Sequence, residues 1–252
     1  MSKYYNLMMS TLSTPFVYFN KLENEESKAE KNFKIGVDFL NKNDVNGAIS
    51  NFYAAYKDDD SSYESLNNTA ALFNAFGKIN DSVKLFEKGI NKHPKNAQIR
   101  YNFGTLLFMN NALVDSKNQL EQAYSIDNKS IAIVNNYALA CYSLKEFEKA
   151  EELLEETIKL DNKFELGYHN LAHLYMTKNE FKKAEEFFKN ALSINDKNVV
   201  TMNDLGCCYC HLNDFAGAVE MFKKATSINP DYKNPYFNLG YVLLKENIAF
   251  SI

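Results

Sequence analysis

Two histidines stand four residues apart, His169 and His173, and three cysteines crowd a single helical turn, Cys207, Cys208 and Cys210, with His211 beside them. Imidazole nitrogens and thiolates in fours are the ligand set of zinc, and a spacing of four puts both rings on one face of a helix. The histidine segment reads HNLAH, however, without the glutamate of a zinc-protease helix, and one Cys-x-x-Cys inside a repeat does not specify a metal. Small polarizable cysteines packing between helices account for the same residues. No metal and no cofactor is therefore assigned; the donors in reserve are His169, His173, Cys207 and Cys210. The acidic cluster Glu151, Glu152, Glu155 and Glu156 is interleaved with Lys149 and Lys159 and reads as a solvated helix face rather than an acid pair. No Gly-rich phosphate loop and no Gly-x-Ser-x-Gly elbow is present, so the chain is not expected to be an enzyme.

The elements that position these residues follow from composition and period. The chain has 252 residues, 46% hydrophobic and 24% charged with four prolines, which is the composition of a globular, helical protein. A net charge of -4 gives no field to attract nucleic acid or an anionic membrane. Four cysteines, three of them in one turn, are not a disulfide framework, and a reducing compartment is expected. The opening residues 1–20 lack a continuous apolar core and are interrupted by Pro15, so no secretory signal is read there and the expected location is cytoplasmic.

Self-similarity at a fixed interval of 34 residues dominates the sequence. Gly36, Ala70, Gly104, Ala138, Ala172, Gly206 and Gly240 are all small; Ala48, Ser82, Ser116, Ala150, Ala184 and Ala218 are small again. Phe52, Phe86, Leu120, Leu154, Phe188 and Phe222 are all large and apolar, and Ala55, Gly89, Ala123, Thr157, Ala191 and Ala225 form a third small series. Asp60, Pro94, Asn128, Asn162, Asp196 and Pro230 supply turn chemistry at each junction. Small residues let two helix axes approach, and a large side chain of the partner helix fills the adjoining hole. Each period therefore predicts two antiparallel helices.

This pattern resembles the tetratricopeptide repeat. The closest match runs Met202, Leu205-Gly206, Tyr209, Ala218, Phe222, Ala225 and Pro230, lacking only the first aromatic; Tyr168, Leu171, Ala172, Tyr175, Ala184, Phe188 and Ala191 follow it nearly as well. Thr69, Ser82, Arg100 and Ser116 depart from the signature in the second and third repeats. The resemblance implies an all-α fold, an α-α superhelix built as a solenoid of antiparallel helix hairpins. Its expected divisions are a lead or capping segment 1–28, six repeats (29–62, 63–96, 97–130, 131–164, 165–198, 199–232), and a partial seventh or capping helix 233–252. In that last helix Tyr236, Leu239 and Leu243 are expected to face inward, and Phe237, Tyr241 and Leu244 to stay partly exposed.

In this family the first helix of each hairpin lines a concave groove, with contacts at its second, fifth, sixth, ninth, twelfth and thirteenth positions. The sixth-position series is Lys34, Asn68, Asn102, Asn136, Asn170, Asp204 and Asn238. A carboxamide can pair with both N–H and C=O of an extended peptide, and the row is similar to the asparagine ladder of the protein O-linked N-acetylglucosamine transferases. The resemblance thus implies a peptide-binding face of Asn68, Asn102, Asn136, Asn170 and Asn238 with Tyr101, Asn135, His169, His173 and Asn203. Few charges fall on it, so the expected partner is a protein or peptide, extended and roughly neutral. The expected role is a protein-protein interaction scaffold, the alternative being the substrate-recruiting arm, or a truncated fragment, of a larger enzyme such as a glycosyltransferase.

Overall fold

A computed structural model describes residues 28–42, 44–58, 63–75 and 77–249, so the lead segment lies outside the described residues except for Lys28. Among the described residues there are 13 α-helices and no strand. They are α1 (Lys28–Asn41), α2 (Val45–Asp58), α3 (Tyr63–Ala75), α4 (Ile79–Lys92), α5 (Ala97–Met109), α6 (Leu113–Ile126), α7 (Ile131–Ser143), α8 (Phe147–Leu160), α9 (Glu165–Thr177), α10 (Phe181–Ile194), α11 (Val199–His211), α12 (Phe215–Ile228) and α13 (Asn234–Ala249). None is long and apolar enough to cross a membrane. The chain divides into two compact units, Met1–Ala140 and Cys141–Ile252.

In the first unit the odd-numbered and even-numbered helices pair as the small and large positions require. Gly36 of α1 sits where an added Cβ would lie 2.9 Å from the Phe52 ring of α2, and Phe33 meets the same ring with centroids 5.1 Å apart. Phe86 of α4 is fully buried and stacks on Phe103 of α5 at 5.3 Å. Ser82 and Ser116, which depart from the alanine of other repeats, are buried, and each hydroxyl donates to a carbonyl of the preceding helix, Ala70 O and Gly104 O, at 2.8 Å. A buried hydroxyl is tolerated when bonded, and the two serines thereby fasten α3 to α4 and α5 to α6.

The second unit repeats the scheme. Ala184, Phe188 and Ala191 of α10 and Ala218, Phe222 and Ala225 of α12 are all fully buried. Val242 of α13 packs with Ala218 and Phe222, and Leu239 lies against them. Tyr236 and Leu243, expected to face inward, are exposed instead. Among the described residues no further helix follows α13 to lie against them, and an added Cβ on Gly240, between them on the same face, would meet nothing within 4 Å.

The hairpin turns have their own period. Gly77, Asn111, Lys145, Asn179 and Asn213 all adopt positive φ, between 60° and 72°. Each ends a first helix with a left-handed residue, and the next amide closes the turn, as Ala112 N does on Leu107 O and Glu180 N on Tyr175 O, both at 2.9 Å. Glycine and asparagine enter this region at little cost; Lys145 has neither advantage.

Candidate functional site

The first helices of each unit carry a recurring polar bracket. In the first unit Asn136 of α7, at the sixth position, donates through Nδ2 to Tyr101 Oη and Thr105 Oγ1 of α5, both at 3.2 Å. Its Oδ1 accepts from Asn135 Nδ2 at 3.3 Å. In the second unit Asn238 of α13 donates to Asn203 Oδ1 of α11 at 2.8 Å and to Cys207 Sγ at 3.4 Å. The partners lie 35 and 31 residues upstream in both cases. They are the fifth and ninth positions of the preceding first helix. Helices one repeat apart lie side by side, which brings the residues one position before and three positions after the equivalent one within reach of a side chain.

These contacts change the expectation for the asparagines. Asn136 and Asn170 are buried rather than open to a groove, as are Tyr101, Asn135, His169 and Asn203. The amide hydrogens of Asn136 already bond α5, because two first helices come close enough to exclude water between them. Asn102 and Asn238 are half-buried, with Asn102 Oδ1 accepting from Gln98 Nε2 at 2.9 Å. Asn68 falls within α3, but its side chain lies outside the described residues. Replacing Asn136 with alanine should lower stability by about 1–3 kcal/mol, since it removes two buried hydrogen bonds, to Tyr101 and Thr105. Urea unfolding measures this, and a change under about 0.5 kcal/mol would mean that the bracket is not a source of stability.

The bracket at Asp204 differs chemically. Here the sixth position of α11 is a carboxylate, only 2% exposed, and the fifth and ninth positions of α9 are His169 and His173. Asp204 Oδ2 lies 2.7 Å from His173 Nε2 and 3.8 Å from His169 Nε2. Asp204 Oδ1 accepts from Asn203 Nδ2 at 3.1 Å. Behind His169 runs a second row: Nδ1 is 2.9 Å from Thr201 Oγ1, Thr201 donates to Glu165 Oε1 at 3.2 Å, and Asn198 Nδ2 donates to the same oxygen at 2.9 Å. Asn198 also caps α11, accepting from Val200 N and Thr201 N. Burial pushes the Glu165 carboxyl above its ordinary range against the pull of the bonds from Thr201 and Asn198. Both histidine rings lie edge-on to Phe188 at 5.7 and 5.4 Å.

The reserve donors are thus divided. His169 and His173 meet Asp204, and among the described residues these three are the only set of His, Cys, Asp or Glu with all ligand atoms within 4.8 Å. Cys207 and Cys210 are half-buried and outside that set. Burial raises the thiol of Cys210, and it pushes that of Cys208 up to about 12, so neither is poised as a thiolate. Sequence reading missed Asp204, Thr201 and Glu165 as members of one cluster. The signal was available in the single acid of the sixth-position series, 31 and 35 residues after two histidines.

The acidic cluster on α8 is only partly a solvated face. Lys149 pairs with Glu152 at 3.0 Å along the helix, but Glu151 accepts from Tyr175 Oη of α9 at 2.6 Å and from Lys178 Nζ, at the C-cap of α9, at 2.7 Å. Although burial works to raise it, those two bonds hold the Glu151 carboxyl below the usual carboxylate range.

Comparison with known proteins bears on the repeat. Models of the tetratricopeptide repeat match residues 131–164 and 163–231. The chain carries tetratricopeptide repeats. A tetratricopeptide repeat protein of Parabacteroides merdae superposes with a TM-score of 0.71 at 18% identity, covering 87% of each chain. PilW, a type IV pilus biogenesis factor, gives 0.71 at 18% identity over 85% of this chain and 98% of its own. YrrB, described as having an unusual peptide-binding site, gives 0.58 at 15% identity over 74% of this chain and 96% of its own. At such identities the likeness shows the fold, an all-α helical repeat of the superhelical class. No curated protein matches the chain.

Proposed function

We propose that the chain is a non-enzymatic interaction scaffold that holds an extended, roughly neutral peptide or a partner protein against the face formed by its first helices. The observation that carries this reading is the exposed side of α13. Phe237, Tyr241 and Leu244, at the fifth, ninth and twelfth positions of the repeat that begins at 233, are 75%, 56% and 65% exposed. Large apolar residues gathered on one exposed face mark a binding surface, and aromatic residues supply the dominant energy when such a surface is covered. At Tyr101 and Thr105, and again at Asn203 and Cys207, the fifth and ninth positions receive the asparagine of the next first helix. A partner lying across α13 would occupy that place, with half-buried Asn238 at its edge. The peptide-binding site named for YrrB supports the same use of the fold.

Cys141, Cys207, Cys208 and Cys210 form no disulfide among the described residues, which supports a cytoplasmic setting. The net charge of -4 supports protein rather than nucleic acid or membrane as partner.

Selection of a random-peptide phage library on the full chain tests the proposal. Enriched peptides should bind the Phe237→Ala, Tyr241→Ala double variant at least about 10-fold more weakly, the loss expected for one aromatic anchor. Both side chains are exposed, so the variant should keep the wild-type helical signal. Failure to enrich any sequence, or equal binding to both proteins, would overturn the reading.

A further inference from the structure

The Asp204 bracket is built like the others and yet cannot work as they do. Where Asn136 and Asn238 bridge to the preceding helix through amide hydrogens, Asp204 has only acceptor oxygens. Its partners at the fifth and ninth positions are imidazoles, which present either a hydrogen or a lone pair. Which of these His169 presents is fixed from behind. Thr201 gives its hydroxyl proton to Glu165, so its oxygen accepts from His169 Nδ1, and the lone pair of His169 lies on Nε2. That nitrogen faces Asp204 Oδ2 at 3.8 Å. That separation of 3.8 Å is too long for a direct hydrogen bond. It is close to the separation, about 3.3 Å, of two atoms that share a tetrahedral zinc ion at bond lengths of about 2.0–2.1 Å.

We propose that His169 Nε2, His173 Nε2 and the Asp204 carboxylate form a site for a divalent first-row transition ion of the zinc type, with solvent in the fourth position. Two imidazoles and one carboxylate select such ions over magnesium or calcium, which prefer oxygen alone. Both shells are present: Glu165 and Thr201 fix the tautomer of His169, and Asn203, itself held by Asn238, fixes Asp204. Outer partners of this kind orient metal ligands and raise their basicity. His173, with its side chain 15% exposed, leaves the cluster a solvent-facing side for the fourth ligand. To bind, His173 gives up the Nε2 proton now donated to Asp204, to solvent or through solvent to its own Nδ1, so that a lone pair takes its place.

Zinc chloride titrated calorimetrically into the full chain, after dialysis against EDTA, should show one ion per chain, and magnesium chloride none. His173→Gln should abolish stoichiometric binding, and Thr201→Val, which alters only the shell behind His169, should weaken it by about 10- to 100-fold. Cobalt substitution adds a readout that needs no variant: ligand-field bands without a thiolate-to-cobalt charge-transfer band. Sub-stoichiometric zinc, a charge-transfer band that places the ion on Cys207 or Cys210, or unchanged affinity in a folded Asp204→Asn variant would each overturn the assignment.

Discussion

Phe188→Ala will lower the unfolding free energy by about 3–5 kcal/mol, the cost of emptying a fully buried aromatic site. The ring has no solvent exposure in α10, where it belongs to the large apolar series that locks each second helix against its first. It also lies edge-on to both His169 and His173. The cavity therefore opens beside the two imidazoles, and the loss should exceed that of a core deletion remote from polar groups. Urea denaturation followed by circular dichroism measures it. A loss below about 1 kcal/mol would show that the site collapses freely and that Phe188 does not hold the histidine pair.

Gly206→Ala is the second large effect, an overpacking of about 1–3 kcal/mol. An added Cβ would lie 2.5 Å from Phe222 Cε1, 2.8 Å from Cδ1 and 2.9 Å from Cζ. That ring is fully buried and cannot retreat. Alanine occupies the equivalent place at Ala172, opposite Phe188, so the class of residue alone does not decide the outcome; the local helix separation does. Combining Gly206→Ala with Phe222→Leu should recover part of the loss, giving a coupling energy of about 0.5–3 kcal/mol in a double-mutant cycle. Strict additivity would contradict the clash.

The all-α hairpin fold was legible because packing between adjacent helices imposes a strict small-and-large alternation that survives every change of surface residue. Gly206 with Phe222 and Ala172 with Phe188 lie 16 residues apart, within one hairpin, and a period of 34 exposes them directly. The polar cluster was harder to read. His169 and His173 are visible as an i, i+4 pair, but their partner lies on another helix, and its identity depends on how far one repeat is shifted along the next. Asn136 was placed on an open surface for the same reason. A row of asparagines reads as peptide-binding until the separation of α5 and α7 is known, and that separation leaves the Asn136 amide between them. Ser82 and Ser116 looked like departures from the family pattern, whereas each supplies a helix-to-helix hydrogen bond that alanine could not.

The left-handed residue that ends each first helix from Gly77 to Asn213 has a consequence for how this gene can change length. Each α-helical residue advances the chain by about 100° around the helix axis. One codon gained or lost at such a corner would turn the following helix by that angle and present the wrong stripe to its neighbour. Whole repeats can be duplicated or deleted without that penalty, because the corner travels with them. Variation in size among descendants of this chain is thus channelled into steps of 34 residues.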